Sequence, residues 1–419
     1  MSPEALTVMG TLIFCYALVA RRATLANFTA PMLSILAGTI VFSATTFEIH
    51  TELVHATAEI ALVVVLFHDA STVQLSRLSH DPGIALRLLG IGFPLALVAT
   101  FLVAHWMLPA VGVAGAWLIA AAITPTDAGL GAPTVLNPVV PVRARRALNV
   151  ESGLNDGLAT PIVLLALSAL AAQEGAYTPI LMRIGVVQVL LALVTAGGIG
   201  LLAAWLVDRS RAQHLSARRG RQIATLVLPL VMFGVADLIH ANAFITAFVG
   251  GLVFGAACRT AGEEHETAGL LDIAADLLGF VVWFALGGLL VLGASRGVSW
   301  RWVLIAVLAL TVLRMMPVAI AMIGTGLKWP TVAFLGWFGP RGLATIVFGL
   351  LTLEELGSNS PVIGTINGVL AVTVLLSVFA HGFSAAPLAR AYGAWADRNR
   401  APISTEPSVE PMPRRRHWL

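Results

Sequence analysis

The chain has 419 residues, of which 58% are hydrophobic and only 11% are charged, with a formal net charge of +3. Soluble domains carry about 25% charged residues, so this composition excludes an ordinary cytosolic enzyme, a disordered chain and a disulfide-rich secreted scaffold. The mean hydropathy of +0.88 indicates an integral membrane protein. Cys15 and Cys258 both lie in apolar runs and indicate neither a disulfide framework nor a metal site.

Apolar stretches recur along almost the whole chain. Because a hydrocarbon core of roughly 30 Å needs about 20 helical residues to cross it, each stretch predicts a transmembrane helix. The alternation that is typical of a membrane β-barrel is absent, so we predict an all-α polytopic protein with about thirteen spans. In chain order the spans are 5–20, 31–47, 54–70, 84–108, 112–136, 147–172, 179–207, 222–239, 243–258, 270–293, 301–324, 331–353 and 361–389.

The basic residues predict the orientation of these spans. Cytoplasmic loops retain an excess of Lys and Arg, and the thirteen spans satisfy this rule when the N-terminus is outside and the C-terminus cytoplasmic. The first stretch has no basic n-region, so it is predicted to be a retained helix. Residues 1–393 are predicted to form one transmembrane domain in the cell membrane, and residues 394–419 a disordered cytoplasmic tail.

Ionisable residues inside the spans are the most informative part of the sequence. A charge near the bilayer centre costs about 2.5–3.5 kcal/mol on insertion scales, so chains retain such residues mainly for function. Asp237, Asp272 and Asp276 lie nearer to span ends, where solvent or headgroups satisfy them, and we assign them no function. The candidates that remain are Glu59, Asp69, Asp127, Glu151, Asp156, Arg314 and Arg341.

The fifth span is predicted to unwind in the middle of the membrane. Pro125 removes a backbone donor, and Gly129 and Gly131 weaken the next turn, so the break is expected at 124–127. Freed carbonyls and the side chains of Thr126 and Asp127 would then face a cavity, where they can replace the hydration shell of a cation. The simpler alternative is a proline kink with a hydrogen-bonded Asp127.

The twelfth span shows the same pattern, because Gly339, Pro340 and Gly342 surround Arg341. Two interrupted spans in corresponding positions predict inverted repeats, which we place at 84–172 and 301–389. Asp127 and Arg341 could then offset the dipole ends of crossed half-helices. The alternative is that the arginine pairs within a packed core.

The sixth span places two carboxylates on different sides of one helix. Ser152 and Asp156 are four residues apart and share a face, whereas Glu151 points about 140° away from Asp156. Glu151 therefore needs a cationic partner elsewhere, and Arg314 is the best unassigned one. Burial favours the neutral form of a carboxylate, so an unpaired Asp156 can exchange a proton for a cation.

Four motifs together resemble a known family. They are TPTDA at 124–128, VESGLNDG at 150–157, FGPRG at 338–342 and, more weakly, LFHDAS at 66–71. The chain is similar over residues 5–392 to NhaP-type bacterial Na⁺/H⁺ antiporters of the monovalent cation:proton antiporter-1 family. The resemblance implies a thirteen-helix fold with a dimerisation domain and a mobile core domain. It also implies a homodimer that exchanges Na⁺, Li⁺ or K⁺ for H⁺.

The resemblance implies a role for each motif residue. Asp156 would bind cation and proton in turn, and Asn155 stands where the electrogenic branch has a second Asp, which implies electroneutral exchange. Departures from the family pattern at Ala128 and Pro340 leave the choice of ion open. The other implied roles are completion of the cation site by Asp127, Thr126 and Ser152, a buried structural pair of Glu151 with Arg314, and charge compensation at the helix crossing by Asp69 and Arg341.

Other functions are weighed against antiport. A K⁺/H⁺ antiporter of the same fold stays open, and an ion channel is disfavoured because no selectivity-filter pattern is present. An intramembrane enzyme is disfavoured because Ser152 is not in GxSxG and no HExxH occurs. No nucleotide-binding motif, cofactor or nucleic-acid partner is indicated, and the expected partners are the transported ions and membrane lipid. We expect His68 and His381 to be packing residues.

Overall fold

The computed structural model describes residues 3–25, 28–44, 51–73, 83–135, 137–173, 179–258, 269–294, 297–357 and 360–399. Within these ranges all regular structure is helical and there is no strand, which confirms the all-α prediction. The helices of the first half are α1 (Pro3–Leu25), α2 (Ala30–Ala44), α3 (Thr51–Ser71), α4 (Gly83–Met107), α5 (Gly112–Ile123), α6 (Ala128–Val135) and α7 (Val142–Ala171). Those of the second half are α8 (Pro179–Ala212), α9 (Arg218–Leu238), α10 (Ala243–Ala257), α11 (Gly269–Ala294), α12 (Trp300–Ala321), α13 (Trp329–Trp337), α14 (Leu343–Leu356) and α15 (Ile363–Asn399).

Many of these helices are long and apolar enough to cross a membrane. In the described part of the chain 7 helices meet that criterion, and four further apolar helices are shorter. Their outer faces carry large apolar side chains such as Leu201, Trp205 and Leu206, which is typical of surfaces in contact with lipid. The chain is thus a multi-pass membrane protein, while the number of thirteen spans remains a prediction.

Both predicted helix interruptions are present. The fifth span divides into α5 and α6, and residues 124–127 between them are not helical. The twelfth span divides into α13 and α14, with non-helical residues 338–342 between them. The two breaks touch, because the backbone N–H of Asp127 donates to the carbonyl of Pro340 at 2.7 Å. The prediction of two interrupted, crossing helices is confirmed.

Glycine allows this crossing to be close. A Cβ on Gly342 would overlap the carboxylate of Asp127, so only glycine fits at the point where the two breaks meet. Helices α7 and α15 pack beside the crossing, and α3 packs against α7, α10 and α11. The breaks are therefore enclosed by protein, which satisfies their backbone groups at membrane depth.

The last helix is longer than the apolar stretch that predicts it. It extends from Ile363 to Asn399, past residue 394, where the tail was predicted to begin, and residues 400–419 lie outside the described ranges. Tyr392 explains the extension, because its ring stacks on Phe334 at a centroid distance of 4.1 Å and its hydroxyl lies 3.1 Å from Oγ1 of Thr331. These contacts bind the end of α15 to α13.

Candidate functional site

Asp127 holds the ends of two half-helices. Its Oδ1 accepts a hydrogen bond from the backbone N–H of Leu130 at 2.9 Å, and its Oδ2 accepts one from Leu343 at 2.8 Å. One carboxylate thus caps the N-termini of both α6 and α14. The negative charge lies between two partial positive charges of helix dipoles, which is its most favourable position.

Arg341 holds the opposite end of the crossing. It is 1% exposed, and its guanidinium donates to the carbonyl oxygens of Thr124, Pro125 and Ala309, the last two at 3.0 and 3.3 Å. Thr124 and Pro125 follow the C-terminus of α5, where free carbonyls accumulate negative charge. Asp127 and Arg341 therefore compensate opposite dipole ends. Backbone groups that the two breaks leave without a helical partner form hydrogen bonds with these two side chains.

Three neutral polar side chains connect the α5–α6 break with α7. Oγ1 of Thr126 lies 2.8 Å from Oγ of Ser152 and accepts a hydrogen bond from Nδ2 of Asn155 at 2.7 Å. The Oδ1 atom of Asn155 is buried and has no partner within the described ranges. Because Ser152 and Asn155 belong to α7, the cluster brings the TPTDA and VESGLNDG motifs together.

Asp156 lies one turn further along α7, beside this cluster. Its side chain is 8% exposed, and among the described residues its carboxylate has no hydrogen-bond or ion-pair partner. At the next residue, a Cβ on Gly157 would overlap the ring of Phe248 from α10, so an aromatic side chain packs close to this part of the helix. A buried carboxylate with free lone pairs, next to hydroxyl and amide oxygens, can accept either a proton or a hard cation.

Glu151 faces away from Asp156 and is paired. Nη1 and Nη2 of Arg314 donate to its two carboxylate oxygens, the second at 2.7 Å, and Nη2 also lies 3.4 Å from the carbonyl of Leu335. The side chains are 1% and 3% exposed. This fork-like pair joins α7, α12 and α13, and it separates the paired carboxylate of the motif from the unpaired one.

Asp69 contacts a histidine that sequence reasoning assigned to packing. Nδ1 of His68 lies 2.9 Å from Oδ1 of Asp69, and Nε2 of the same ring contacts Oδ1 of Asp272 on α11. Asp272 was expected to face solvent or headgroups. Asp272 lies 204 residues from His68 in the chain, so no local sequence pattern predicts their contact. The role of Asp69 at the helix crossing remains a prediction, because the charges of the crossing itself are those of Asp127 and Arg341.

His381 is a satisfied packing residue in this structure. Its Nε2 lies 2.9 Å from the carbonyl of Trp337, and its Nδ1 lies 3.2 Å from Oγ of Ser377. The same hydroxyl oxygen accepts a hydrogen bond from the backbone N–H of Arg341 at 2.6 Å. A chain of hydrogen bonds thus runs from the α13–α14 break through Ser377 to His381, and α15 holds the break in place.

Comparisons with known proteins agree with this architecture. The family model described as "Sodium/hydrogen exchanger, transmembrane" matches residues 9–391. The chain is 25% identical over 317 residues to a Na⁺/H⁺ antiporter of Schizosaccharomyces pombe, a match that covers 67% of this chain and 65% of that relative. It is 27% identical over 216 residues to the "Sodium, potassium, lithium and rubidium/H(+) antiporter" of Bacillus subtilis, covering 49% of this chain and 30% of that one. The chain therefore spans less than two thirds of the length of both.

The fold is also similar to a solved structure. The sodium proton antiporter MjNhaP1 from Methanocaldococcus jannaschii at pH 8 superposes with a TM-score of 0.73. The similarity covers 92% of this chain and 98% of that one at 19% sequence identity. At this identity the likeness concerns the fold, which is the one expected from the two interrupted spans.

Proposed function

Because this chain belongs to the sodium/hydrogen exchanger family, we propose that it is a secondary transporter that exchanges a monovalent cation for H⁺, with both ions competing for Asp156. The observation that supports this most directly is the unpartnered, buried carboxylate of Asp156 beside Thr126, Ser152 and Asn155. A single carboxylate cannot hold a proton and a cation at once, so loading one ion releases the other. Alternation of the site between the two sides of the membrane then couples the two fluxes.

The proposed cation ligands are oxygen atoms from two motifs. Asp156 supplies the charge, and Ser152, Thr126 and the free Oδ1 of Asn155 supply neutral oxygens. Asp127 is a weaker candidate for a direct ligand, since both of its carboxylate oxygens already accept backbone hydrogen bonds. We therefore propose that Asp127 shapes the site by holding the two half-helices and that Asp156 carries the exchangeable charge.

The proposed stoichiometry is one cation for one proton. Asn155 is neutral, Asp127 caps two helices and Glu151 is paired with Arg314, so within TPTDA and VESGLNDG Asp156 is the carboxylate without a hydrogen-bond partner among the described residues. Exchange of one proton for one monovalent cation moves no net charge. We accordingly propose that transport is electroneutral and insensitive to the membrane potential.

Na⁺ is the proposed cation, with Li⁺ as a second substrate and K⁺ as the alternative. The name of the Bacillus subtilis relative includes potassium, lithium and rubidium, which keeps K⁺/H⁺ exchange as a second candidate function. Residue types alone do not separate Na⁺ from K⁺, because selectivity depends on the size and rigidity of the cavity.

Several finer assignments belong to the same proposal. We propose a homodimer in the lipid of the cell membrane that contributes to pH homeostasis, with an outward N-terminus and a cytoplasmic C-terminus, as the distribution of basic residues predicts. The repeat units 84–172 and 301–389 are each expected to contribute one of the interrupted helices. The two interrupted helices occupy corresponding sequence positions within the two units, which supports the repeat assignment.

The test uses purified protein in liposomes with an acidic interior. External Na⁺, Li⁺ or K⁺ is added in turn, and collapse of the pH gradient is followed with and without a potential clamp. We expect collapse that is independent of the clamp in the wild type and in Asp237→Asn, an exposed carboxylate at the end of α9. Asp156→Asn is expected to fold and to transport nothing. Retained exchange in that variant, or no collapse with any alkali cation in the wild type, would contradict the proposal.

A further inference from the structure

A histidine between two carboxylates joins α3 and α11 outside the cation site. The ring of His68 contacts a carboxylate on each side, Asp69 through Nδ1 and Asp272 through Nε2. The imidazole side chain is 7% exposed, whereas the Asp272 side chain is 34% exposed. The bridge therefore extends from a partly open carboxylate to one inside the protein.

The number of protons in this bridge follows from its geometry. Each contact pairs a ring nitrogen with a carboxylate oxygen, and carboxylates only accept, so each contact needs one hydrogen. With both carboxylates ionised, His68 must be an imidazolium. Loss of one proton leaves one ring nitrogen with a lone pair facing a carboxylate, which breaks that contact and makes the group of three residues more negative by one unit.

The bridge acts on the cation site through Asp69. The backbone of Asp69 packs against Gly153 of α7, next to Ser152. The Asp69 carboxylate is near enough to interact electrostatically with both Asp127 and Asp156. Loss of the proton from His68 makes the surroundings of Asp69 more negative by one unit and therefore changes the electrostatic potential at the carboxylate that exchanges its proton.

Other charges surround this bridge and set its background potential. The sequence of helix α3 itself also contains Glu52, His55 and Glu59, and the helices packed against α3 are α7, α9, α10, α11 and α14. Helix α10 has no charged residue in its sequence. The charged residues of the other four are Arg143, Arg145, Arg146, Glu151, Asp156, Arg218, Arg219, Arg221, Asp237, Asp272, Asp276, Glu354 and Glu355. His68 is the one histidine among the residues of these helices and of α3 from Thr57 onward.

We propose that His68 is a positioning residue that sets the pH range of exchange. When it is protonated its positive charge offsets the negative charge of Asp69, and when it is deprotonated this offset is lost. This inference rests on the proposed competition of cation and proton for Asp156. The sign follows from electrostatics. A more negative Asp69–Asp272 pair holds the proton on Asp156 more tightly, so that exchange measured at cation concentrations far below saturation begins at higher pH.

The decisive experiment compares pH profiles of exchange for charge variants of the bridge. His68→Gln removes the positive charge and is expected to move the midpoint about 0.5–1 pH unit towards alkaline pH. Asp69→Asn removes a negative charge and is expected to move it towards acid pH by a similar amount. Asp397→Asn, an exposed carboxylate near the end of α15, is the control and keeps the wild-type midpoint. An unchanged midpoint in His68→Gln, or shifts of the same sign in both variants, would overturn the proposal.

A second variant and a second measurement protect the test against loss of folding or of transport. Asp272→Asn changes the open end of the bridge, and its midpoint is expected to move towards acid pH by less than that of Asp69→Asn. Separately, NMR of histidine-labelled wild-type protein identifies the His68 ring as the signal missing from His68→Gln. That signal is expected to titrate with a midpoint that moves in Asp272→Asn, and an immobile midpoint contradicts the bridge. A wild type that exchanges no cation contradicts the proposed function instead, while this titration still tests the bridge.

Discussion

Removal of one partner of the Glu151–Arg314 pair is expected to destabilise the protein by about 3–5 kcal/mol. Both side chains are almost wholly buried, and two parallel hydrogen bonds join them. Glu151→Gln leaves a guanidinium without a counter-charge between α7, α12 and α13. Glu151→Gln combined with Arg314→Met removes both charges together, and we expect it to recover most of the loss, because a buried pair replaced as a unit is often neutral for stability.

The assay is thermal unfolding of the purified protein in detergent, followed by tryptophan fluorescence, together with the yield of folded protein. With about 2.1 cal/mol/K of unfolding entropy per residue, the loss corresponds to a fall of about 3–6 °C in Tm for a chain of 419 residues. Asp397→Asn, an exposed carboxylate near the end of α15, is the control. A wild-type Tm and yield in Glu151→Gln, or a double variant as unstable as the single one, would refute this reasoning.

Three further outcomes concern the site and the helix crossing. Asp127→Asn keeps one acceptor oxygen but turns an NH2 group towards the second backbone N–H and removes the charge, so one cap is lost and we expect a loss of about 1–2 kcal/mol of stability; an unchanged Tm would contradict the double cap. Arg341→Lys keeps the charge but loses the fork that contacts several carbonyls, and a roughly tenfold or greater fall in transport rate is expected, whereas full activity would argue against its role. Competition for Asp156 predicts that the apparent KM for the cation rises about tenfold for each pH unit of acidification once the site is mostly protonated; a KM that does not change with pH excludes a shared site.

The sequence was sufficient for the class of fold and for the position of its two breaks. Pro125 and the glycines and proline around Arg341 act on the backbone of their own helix, so their effect is local and can be predicted without tertiary structure. The separation of Glu151 from Asp156 also follows from helical geometry alone. The pairing of Glu151 with Arg314 could be predicted because a buried carboxylate needs a cationic partner, and Arg314 was the best arginine without an assigned one.

Other features of the fold and the site depend on tertiary contacts, which no local sequence pattern predicts. The His68–Asp272 contact joins helices that are distant in the chain, and the position of Asp272 near a span end suggested solvent as its partner. The extension of α15 to Asn399 depends on the stacking of Tyr392 on Phe334, which comes from another helix. The second cap made by Asp127 likewise required knowledge of where Leu343 would lie.

The pairing of fixed charges at the crossing has a consequence for leakage. Among these five charges, Asp127 balances Arg341 and Glu151 balances Arg314 in number, so the occupant of Asp156 decides whether the set is neutral or negative. An empty carboxylate would cross the hydrocarbon as a bare charge, at a cost of about 2.5–3.5 kcal/mol on insertion scales. On the proposed mechanism, empty transits are expected to be about 70- to 400-fold rarer than loaded ones. Slippage, measured as proton loss from vesicles free of alkali cations, should be low by the same factor, because a neutral, loaded site moves at lower cost than a charged, empty one.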